Sequence, residues 1–174
     1  MNWVKLLQPD LILGEPILGL TPELIAQHQL QGLVLDVDET LVPLREGQTS
    51  PEVHAWCAQL KPLVSLWLVS NNLNEARIRR IAEGLDLPYI TGAGKPSRRK
   101  LRRAAEAMNL PLERIAMVGD RLFTDVLAGN RLGMFTILVE PMAGSVSGLP
   151  GKPLVRSLEV WISHRLGVSL KSLP

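Results

Sequence analysis

The sequence predicts an α/β fold with a doubly wound, Rossmann-like parallel sheet in three layers. Short apolar runs rich in β-branched residues alternate with amphipathic segments five times, which is typical of βαβ units. Polar residues cluster directly after these runs, at the predicted carboxyl ends of the strands, where open α/β sheets bind their ligands. We therefore expect one parallel sheet covered by helices on both faces.

The composition limits the class of protein. The 174 residues suit one domain with a proper core, and 46% hydrophobic with 21% charged residues is ordinary for a globular protein. A formal net charge of +2 gives no reason to expect a nucleic-acid partner. The single cysteine, Cys57, excludes an internal disulfide. No apolar run approaches the ~18 residues of a membrane span and no signal-peptide pattern is present, so we expect a cytoplasmic protein, free or peripheral on a membrane.

The N-terminal 30 residues are predicted to extend the sheet domain. Prolines and glycines interrupt residues 1–20 too often for a long helix. Thr21-Pro22-Glu23 then predicts a short helix to about Leu30, with Thr21 as its cap and Pro22 at the first helical position.

Strands and helices are predicted to alternate after this extension. The predicted strands are 33–35, 66–69, 88–91, 115–118 and 135–139, and the predicted helices between them are 51–61, 74–85, 97–108 and 122–132. Ser50-Pro51-Glu52 opens the first of these helices, and Ser97 is expected to cap the third.

A C-terminal extension is expected beyond the last strand. Residues 141–153 read as a loop rich in Gly, Pro and Ser, and an apolar stripe then predicts a helix: Leu158, Trp161, Ile162 and Leu166. We expect one domain over 1–174, with a core of about 30–140 and both extensions packed on it or lying at a membrane surface.

Oxygen ligands are predicted to meet at one edge of the sheet. Asp36 and Asp38 follow the first strand two residues apart, so their side chains would share one face. Two such carboxylates repel unless a cation lies between them or one is protonated. The later strands are followed by Ser70, Asn71, Lys95, Asp120 and Asp125. Oxygen ligands without His or Cys favour Mg²⁺, and the lysine and hydroxyl favour a phosphoryl group.

Four motifs in this order resemble those of the haloacid dehalogenase (HAD) superfamily of aspartyl-phosphate phosphatases. They are Asp36-Val37-Asp38-Glu39-Thr40, Ser70, Lys95, and Gly119-Asp120 with Asp125, within about residues 30–140. The segments 93–96 and 129–133 are similar to subclass IIIA, and within it to phosphatases of the phosphatidylglycerophosphate type. Glu39 departs from that subclass, in which glycine or asparagine is commoner at this position.

This resemblance implies a role for each residue of the motifs. Asp36 would attack phosphorus, and Asp38 would protonate the leaving oxygen and then activate water. Ser70 and the Asn71 amide would bind phosphoryl oxygens, and Lys95 would offset charge in the transition state.

The resemblance also implies a magnesium site. Asp36, Asp120 and the backbone carbonyl of Asp38 would hold Mg²⁺. Asp125 would orient Lys95 or a water on the metal, and Thr40 would brace the first loop beside the substrate. The candidate metal residues are therefore Asp36, Asp38, Asp120 and Asp125, and the candidate substrate-binding residues are Ser70, Asn71, Lys95 and Thr40.

The spacing of the motifs predicts a site without a cap domain. Capped relatives insert the cap after the first motif or between the second and third. Only 25 positions separate Ser70 from Lys95, and one helix and one short strand use nearly all of them. After the first motif there is room for a small flap only, at about residues 42–49.

The predicted function is that of a Mg²⁺-dependent phosphomonoesterase acting on phosphatidylglycerophosphate or a similar phospholipid headgroup. An uncapped site suits a phosphate presented on something large, since closure is what excludes water in capped relatives. Four basic residues lie on the third predicted helix: Arg98, Arg99, Arg102 and Arg103. The simpler interpretation is that they form a solvated outer face. The alternative is that they bind an anionic membrane surface.

Two alternatives stay open. One is a phosphatase of a soluble small molecule whose site is covered by a neighbour in an oligomer, and the oligomeric state itself is open. The other is a non-enzymatic phospho-acceptor like a receiver domain. A receiver places its acceptor aspartate after its third strand, where this chain has Thr91-Gly92.

Overall fold

The computed structural model describes residues 3–142 and Gly167. The strands are β1 (Leu11–Ile12), β2 (Gly32–Leu35), β3 (Ser65–Val69), β4 (Tyr89–Ile90), β5 (Ile115–Gly119) and β6 (Phe135–Leu138). They form one six-stranded sheet in the order β1-β6-β5-β2-β3-β4. All five strand pairs are parallel, so the predicted parallel α/β fold is confirmed.

The α-helices in this part of the chain are α1 (Trp3–Leu7), α2 (Pro22–Gln27), α3 (Pro51–Leu60), α4 (Glu75–Leu85), α5 (Arg99–Met108) and α6 (Leu127–Leu132). Short 3-10 turns cover Ile17–Gly19 and Leu112–Arg114, and a π-helical turn covers Leu122–Val126. The side chains of Thr21 and Ser50 cap α2 and α3, and each accepts a bond from the backbone N–H of the third residue of its helix.

Two apolar cores lie on opposite faces of the sheet. In β2, Leu33 and Leu35 face one core together with helices α3 and α4, while Val34 faces the other together with Leu101 and Ala104 of α5. The alternation follows from the two-residue period of a strand. Helices therefore cover both faces, as the continuous apolar runs predicted.

The N-terminal extension adds an edge strand that the sequence analysis missed. Leu11 and Ile12 of β1 pair with Ile137 and Leu138 of β6. A two-residue strand is too short to show a periodicity, so its pairing depends on the rest of the sheet. The side chain of Asn130 holds the preceding segment by donating to the carbonyls of residues 6 and 8, each at 2.9 Å.

One local prediction was wrong, that of the residue which caps α5. Helix α5 begins at Arg99 and Arg98 occupies the cap position, one residue later than predicted, while the Ser97 hydroxyl accepts from the Arg99 N–H at 3.5 Å. The predicted helix 122–132 is helical over the same residues, but its first five residues form the π-helical turn, which leads directly into α6. The predicted helix with the stripe around Trp161, and the loop before it from residue 143 on, lie outside the described residues.

No cap domain is present in the described part of the chain, as the spacing predicted. Between Asp36 and Ser70 this part holds a flap and the α3–β3 unit, and between Ser70 and Lys95 it holds α4 and β4. Among these residues, no helix combines the length and apolar character that crossing a bilayer needs.

Candidate active site

The candidate site lies at the carboxyl edge of the three central strands. Asp36, Ser70 and Asp120 each follow the last residue of β2, β3 and β5. The register aligns these ends, because Leu35 of β2 is paired with Leu68 of β3 and with Val118 of β5. Parallel pairing alone therefore brings together residues that are 34 and 84 positions away from Asp36 in the sequence.

Lys95 lies at the centre of this group. Its Nζ atom is 2.6 Å from Asp36 Oδ1 and 2.7 Å from Asp125 Oδ1, and it donates to the Val69 carbonyl at 2.8 Å. The lysine side chain is 1% exposed. A charge buried this deeply requires close partners, and two carboxylates and one carbonyl provide them.

Asn71 fixes the backbone that carries this lysine. Its Oδ1 accepts from Lys95 N–H at 2.7 Å, and its Nδ2 donates to the Lys95 carbonyl at 3.0 Å. The Asn71 side chain is thus a brace for Lys95, a function that the sequence analysis missed. Binding of a phosphoryl oxygen by the Asn71 amide stays a prediction.

Three buried carboxylates form a group that suits a hard divalent cation. Asp36, Asp120 and Asp125 each offer one oxygen, and these oxygens lie within 4.8 Å of one another. The three carboxylates together carry more negative charge than the ammonium of one lysine offsets. Buried oxygen ligands with such an excess of negative charge fit Mg²⁺ well. The Asp38 carboxylate is not in this group, and a contribution of Asp38 to the metal site through its backbone carbonyl stays a prediction.

The electrostatics of the pair Asp36 and Lys95 follow from burial and crowding. Burial, together with the nearby Asp125 carboxylate, raises the pKa of Asp36 to about 7 against the opposing effect of Lys95. Burial lowers the pKa of the Lys95 ammonium, but the Asp125 and Asp36 carboxylates outweigh burial and hold that pKa above its usual value. The lysine therefore stays charged while the carboxylates compete for it.

Gly119 makes room for Asp125. A Cβ atom at position 119 would collide with the carboxylate of Asp125, which is 2% exposed. The π-helical turn returns that carboxylate toward the end of β5, where its Oδ2 accepts from Arg121 N–H at 3.3 Å. Single π-helical turns are frequent at functional sites.

Replacing Gly119 by alanine is expected to damage the site. The added methyl group must displace Asp125, so we expect a loss of about 1–3 kcal/mol in the free energy of unfolding and at least about tenfold lower activity. Thermal unfolding and kcat/KM would be measured. Gly84→Ala, inside α4, is the matched control, because a Cβ there would lie 3.8 Å from the His54 ring, which is an ordinary van der Waals distance. Full activity in Gly119→Ala would contradict this packing argument.

Asp38 is held by residues that the sequence analysis did not identify. Its Oδ1 is 2.6 Å from Arg77 NH1, and its Oδ2 accepts from Asn72 Nδ2 at 3.0 Å. Ser70 Oγ donates to the same Oδ2 at 3.5 Å. The signal was available in outline, because Arg77 lies in the first turn of the helix that follows Ser70, and that turn starts at the carboxyl edge of the sheet.

The first loop owes its shape to Glu39 more than to Thr40. Glu39 has φ +67°, a left-handed conformation that glycine and asparagine adopt with least strain, which explains why those residues are commoner here. Its side chain accepts from Leu44 N–H at 3.1 Å, so it also ties down the flap. Thr40 is fully buried, and its hydroxyl makes no hydrogen bond among the described residues.

Comparisons with known proteins agree with this geometry. Residues 92–143 match the family model described as "HAD-hyrolase-like". The Probable phosphatase YqeG of Bacillus subtilis (strain 168) is 38% identical over 130 residues, which cover 74% of this chain and 75% of that protein. The chain belongs to the HAD-like hydrolase family. The predicted enzyme class, a HAD-type phosphatase, is confirmed, and the receiver-like alternative is set aside.

Two further proteins are similar to this HAD-like hydrolase, a more distant relative in sequence and a structure with a similar fold. Phosphatidylglycerophosphate phosphatase 1, chloroplastic, of Chlamydomonas reinhardtii is 33% identical over 82 residues, 46% of this chain and 30% of that protein. An uncharacterized protein from Listeria monocytogenes serotype 4b superposes with a TM-score of 0.54 at 15% identity, over 78% of this chain and 99% of that chain. The second likeness supports the fold, and assignment to subclass IIIA stays a prediction.

Proposed function

We propose that this phosphatase is a Mg²⁺-dependent phosphomonoesterase that forms an aspartyl-phosphate on Asp36. The observation that carries the proposal is the buried group of Asp36, Asp120 and Asp125 around Lys95 at the carboxyl edge of the sheet. Asp36, Asp120 and the Asp38 backbone carbonyl would hold Mg²⁺, which when bound would offset the charge of the incoming phosphate.

The residues of the chain divide the reaction into two steps. Lys95 holds Oδ1 of Asp36, which leaves Oδ2 to attack phosphorus while the bond from phosphorus to the leaving oxygen breaks. Asp38 donates a proton to that oxygen, so the product alcohol departs neutral. Water then attacks the phosphorus of the aspartyl-phosphate, Asp38 accepts its proton, and Asp36 is regenerated as inorganic phosphate leaves. Ser70 and Lys95 would stabilise the phosphoryl oxygens throughout.

We further propose that the phosphate is carried on a phospholipid headgroup such as that of phosphatidylglycerophosphate. The site has no cap in the described chain, so it does not enclose a small metabolite. Leu73, two residues after the Asn71 brace, is 87% exposed at the same edge of the sheet. Single exposed apolar side chains are common on protein surfaces, but at this edge Leu73 would be available for contact with a lipid surface. The distant relationship to a chloroplastic phosphatidylglycerophosphate phosphatase supports the same substrate class.

Kinetics with vesicles test this substrate. We expect phosphate release from phosphatidylglycerophosphate in anionic vesicles to exceed release from sugar phosphates, to stop with EDTA and to return with Mg²⁺. Leu73→Ser is expected to lower the lipid rate about tenfold by removing apolar contact, while leaving a soluble aryl phosphate unaffected. Leu63→Ser is the matched control, because Leu63 is 56% exposed but precedes β3 at the opposite edge of the sheet. Equal or better turnover of sugar phosphates would favour the oligomeric small-molecule alternative.

A further inference from the structure

Arg77 joins three separate parts of the candidate site. It lies in the first turn of α4, where its backbone N–H donates to the cap residue Asn74 at 3.1 Å. Its guanidinium contacts Asp38 Oδ1 at 2.6 Å, and it donates from Nε to the Glu46 carbonyl at 2.8 Å and from NH2 to the Pro43 carbonyl at 3.3 Å. One side chain therefore holds the flap and the acid residue against the helix that follows Ser70.

The contacts of Asp38 show what this arrangement achieves. Arg77 occupies Oδ1, while Oδ2 lies on the side of Ser70 and Asn72. Ser70 is the residue expected to bind phosphoryl oxygens, so Oδ2, which accepts from Asn72 and Ser70, would be the oxygen on the side of the reacting phosphate. The side chains of Arg77 and Asp38 are 12% and 18% exposed, which limits competition by water for the contact between them.

We infer that Arg77 is a positioning residue for the reaction: it holds Oδ1 of Asp38 so that Oδ2 is aimed at the leaving oxygen, and it makes the flap part of that support. The inference rests on the proposed acid–base role of Asp38. Arginine suits the task because its planar fork offers several donors in fixed directions, whereas a lysine at position 77 has a single ammonium for the acid and two flap carbonyls.

Leaving-group dependence tests the inference. The aryl oxygen of an ester such as 4-nitrophenyl phosphate departs from phosphorus without help from an acid. The alkyl oxygen of an alkyl phosphate needs a proton in order to depart. We expect Arg77→Ala to lower kcat/KM about 100-fold for an alkyl phosphate and by less than about threefold for the aryl ester. The value of kcat/KM reports the first step of the reaction, in which the leaving oxygen departs, so the alkyl and aryl values can be compared for that step. Hydrogen exchange of the flap amides of residues 44–47 should also become faster, which is a readout independent of turnover.

Arg79→Ala is the matched control. Arg79 is on the same helix and carries the same charge, but it pairs with Glu75 and Tyr89 on an exposed face. We expect it to show the wild-type ratio of alkyl to aryl rates and wild-type flap exchange. Arg77→Lys keeps the charge and replaces Arg77→Ala in the experiment if that variant does not fold. Its ratio of alkyl to aryl rates should lie between those of the wild type and Arg77→Ala.

Three results would overturn the inference. The first is an equal loss of kcat/KM on alkyl and aryl esters in Arg77→Ala, and the second is an unchanged kcat/KM on the alkyl ester. The third is a loss of kcat/KM in the double variant Asp38→Asn/Arg77→Ala that equals the product of the two single losses. Residues that act as one unit are not additive, so such a product would show that they act independently. Failure of the proposed function looks different, because Asp38→Asn alone would then keep the wild-type preference between alkyl and aryl esters.

Discussion

Asp36→Asn is expected to lower kcat/KM by about four to six powers of ten, or about 5.5–8 kcal/mol of transition-state stabilisation. The amide is nearly isosteric but does not attack phosphorus, so the covalent route is lost. The fold should persist, because Lys95 keeps its contacts with Asp125 and with the Val69 carbonyl. Acid quenching during turnover of a ³²P-labelled ester should leave label on wild-type protein and none on Asp36→Asn.

Asp86→Asn is the matched control for the nucleophile. Asp86 carries the same charge, but its side chain is 96% exposed and it lies at the left-handed end of α4, a conformation that asparagine tolerates well. It should turn over and label like wild type. Substantial turnover by pure Asp36→Asn, or label on another residue, would remove Asp36 from its role.

Lys95→Met is expected to lower the free energy of unfolding by about 3–5 kcal/mol at pH 8 in the absence of divalent cations. The substitution keeps the volume but leaves the carboxylates of Asp36 and Asp125 buried without their ammonium partner. Urea unfolding in EDTA would measure the loss. Lys61→Met is the matched control, because Lys61 forms a surface pair with Asp86 at 3.0 Å, and such pairs contribute about 0–1 kcal/mol.

The cost of Lys95→Met should grow with pH. Burial raises the pKa of Asp36 to about 7, against about 3.9 in an unfolded chain. Between these two pH values the folded state therefore binds one proton that the unfolded state has released. The stability from that proton is fully present below the unfolded pKa and is lost as pH rises through the folded pKa. Removing Lys95 raises the folded pKa further, so the deficit should be small at pH 5 and large at pH 8. A deficit independent of pH would contradict this electrostatic account.

The sequence alone determined the central sheet and the edge that carries the site. The runs that became β2, β3, β5 and β6 are predominantly apolar and bounded by polar residues, and a run of this kind that is buried on both faces is typical of a strand in a parallel sheet. Because parallel strands end at one edge, the order of the motifs was enough to bring Asp36, Ser70 and Lys95 together. The absence of a cap in the described chain followed from spacing, which is a property of the sequence itself.

Only the tertiary structure decided how the side chains at that edge pair. Arg77 and Asp38 are 39 positions apart, and which charged residue reaches a carboxylate depends on where a helix starts relative to the sheet. The two-residue strand β1 and the left-handed Glu39 are likewise set by neighbours distant in sequence. Burial patterns are local and repeat along the chain, whereas a single hydrogen bond or ion pair depends on three-dimensional placement to within an ångström, and no periodicity in the sequence encodes that placement.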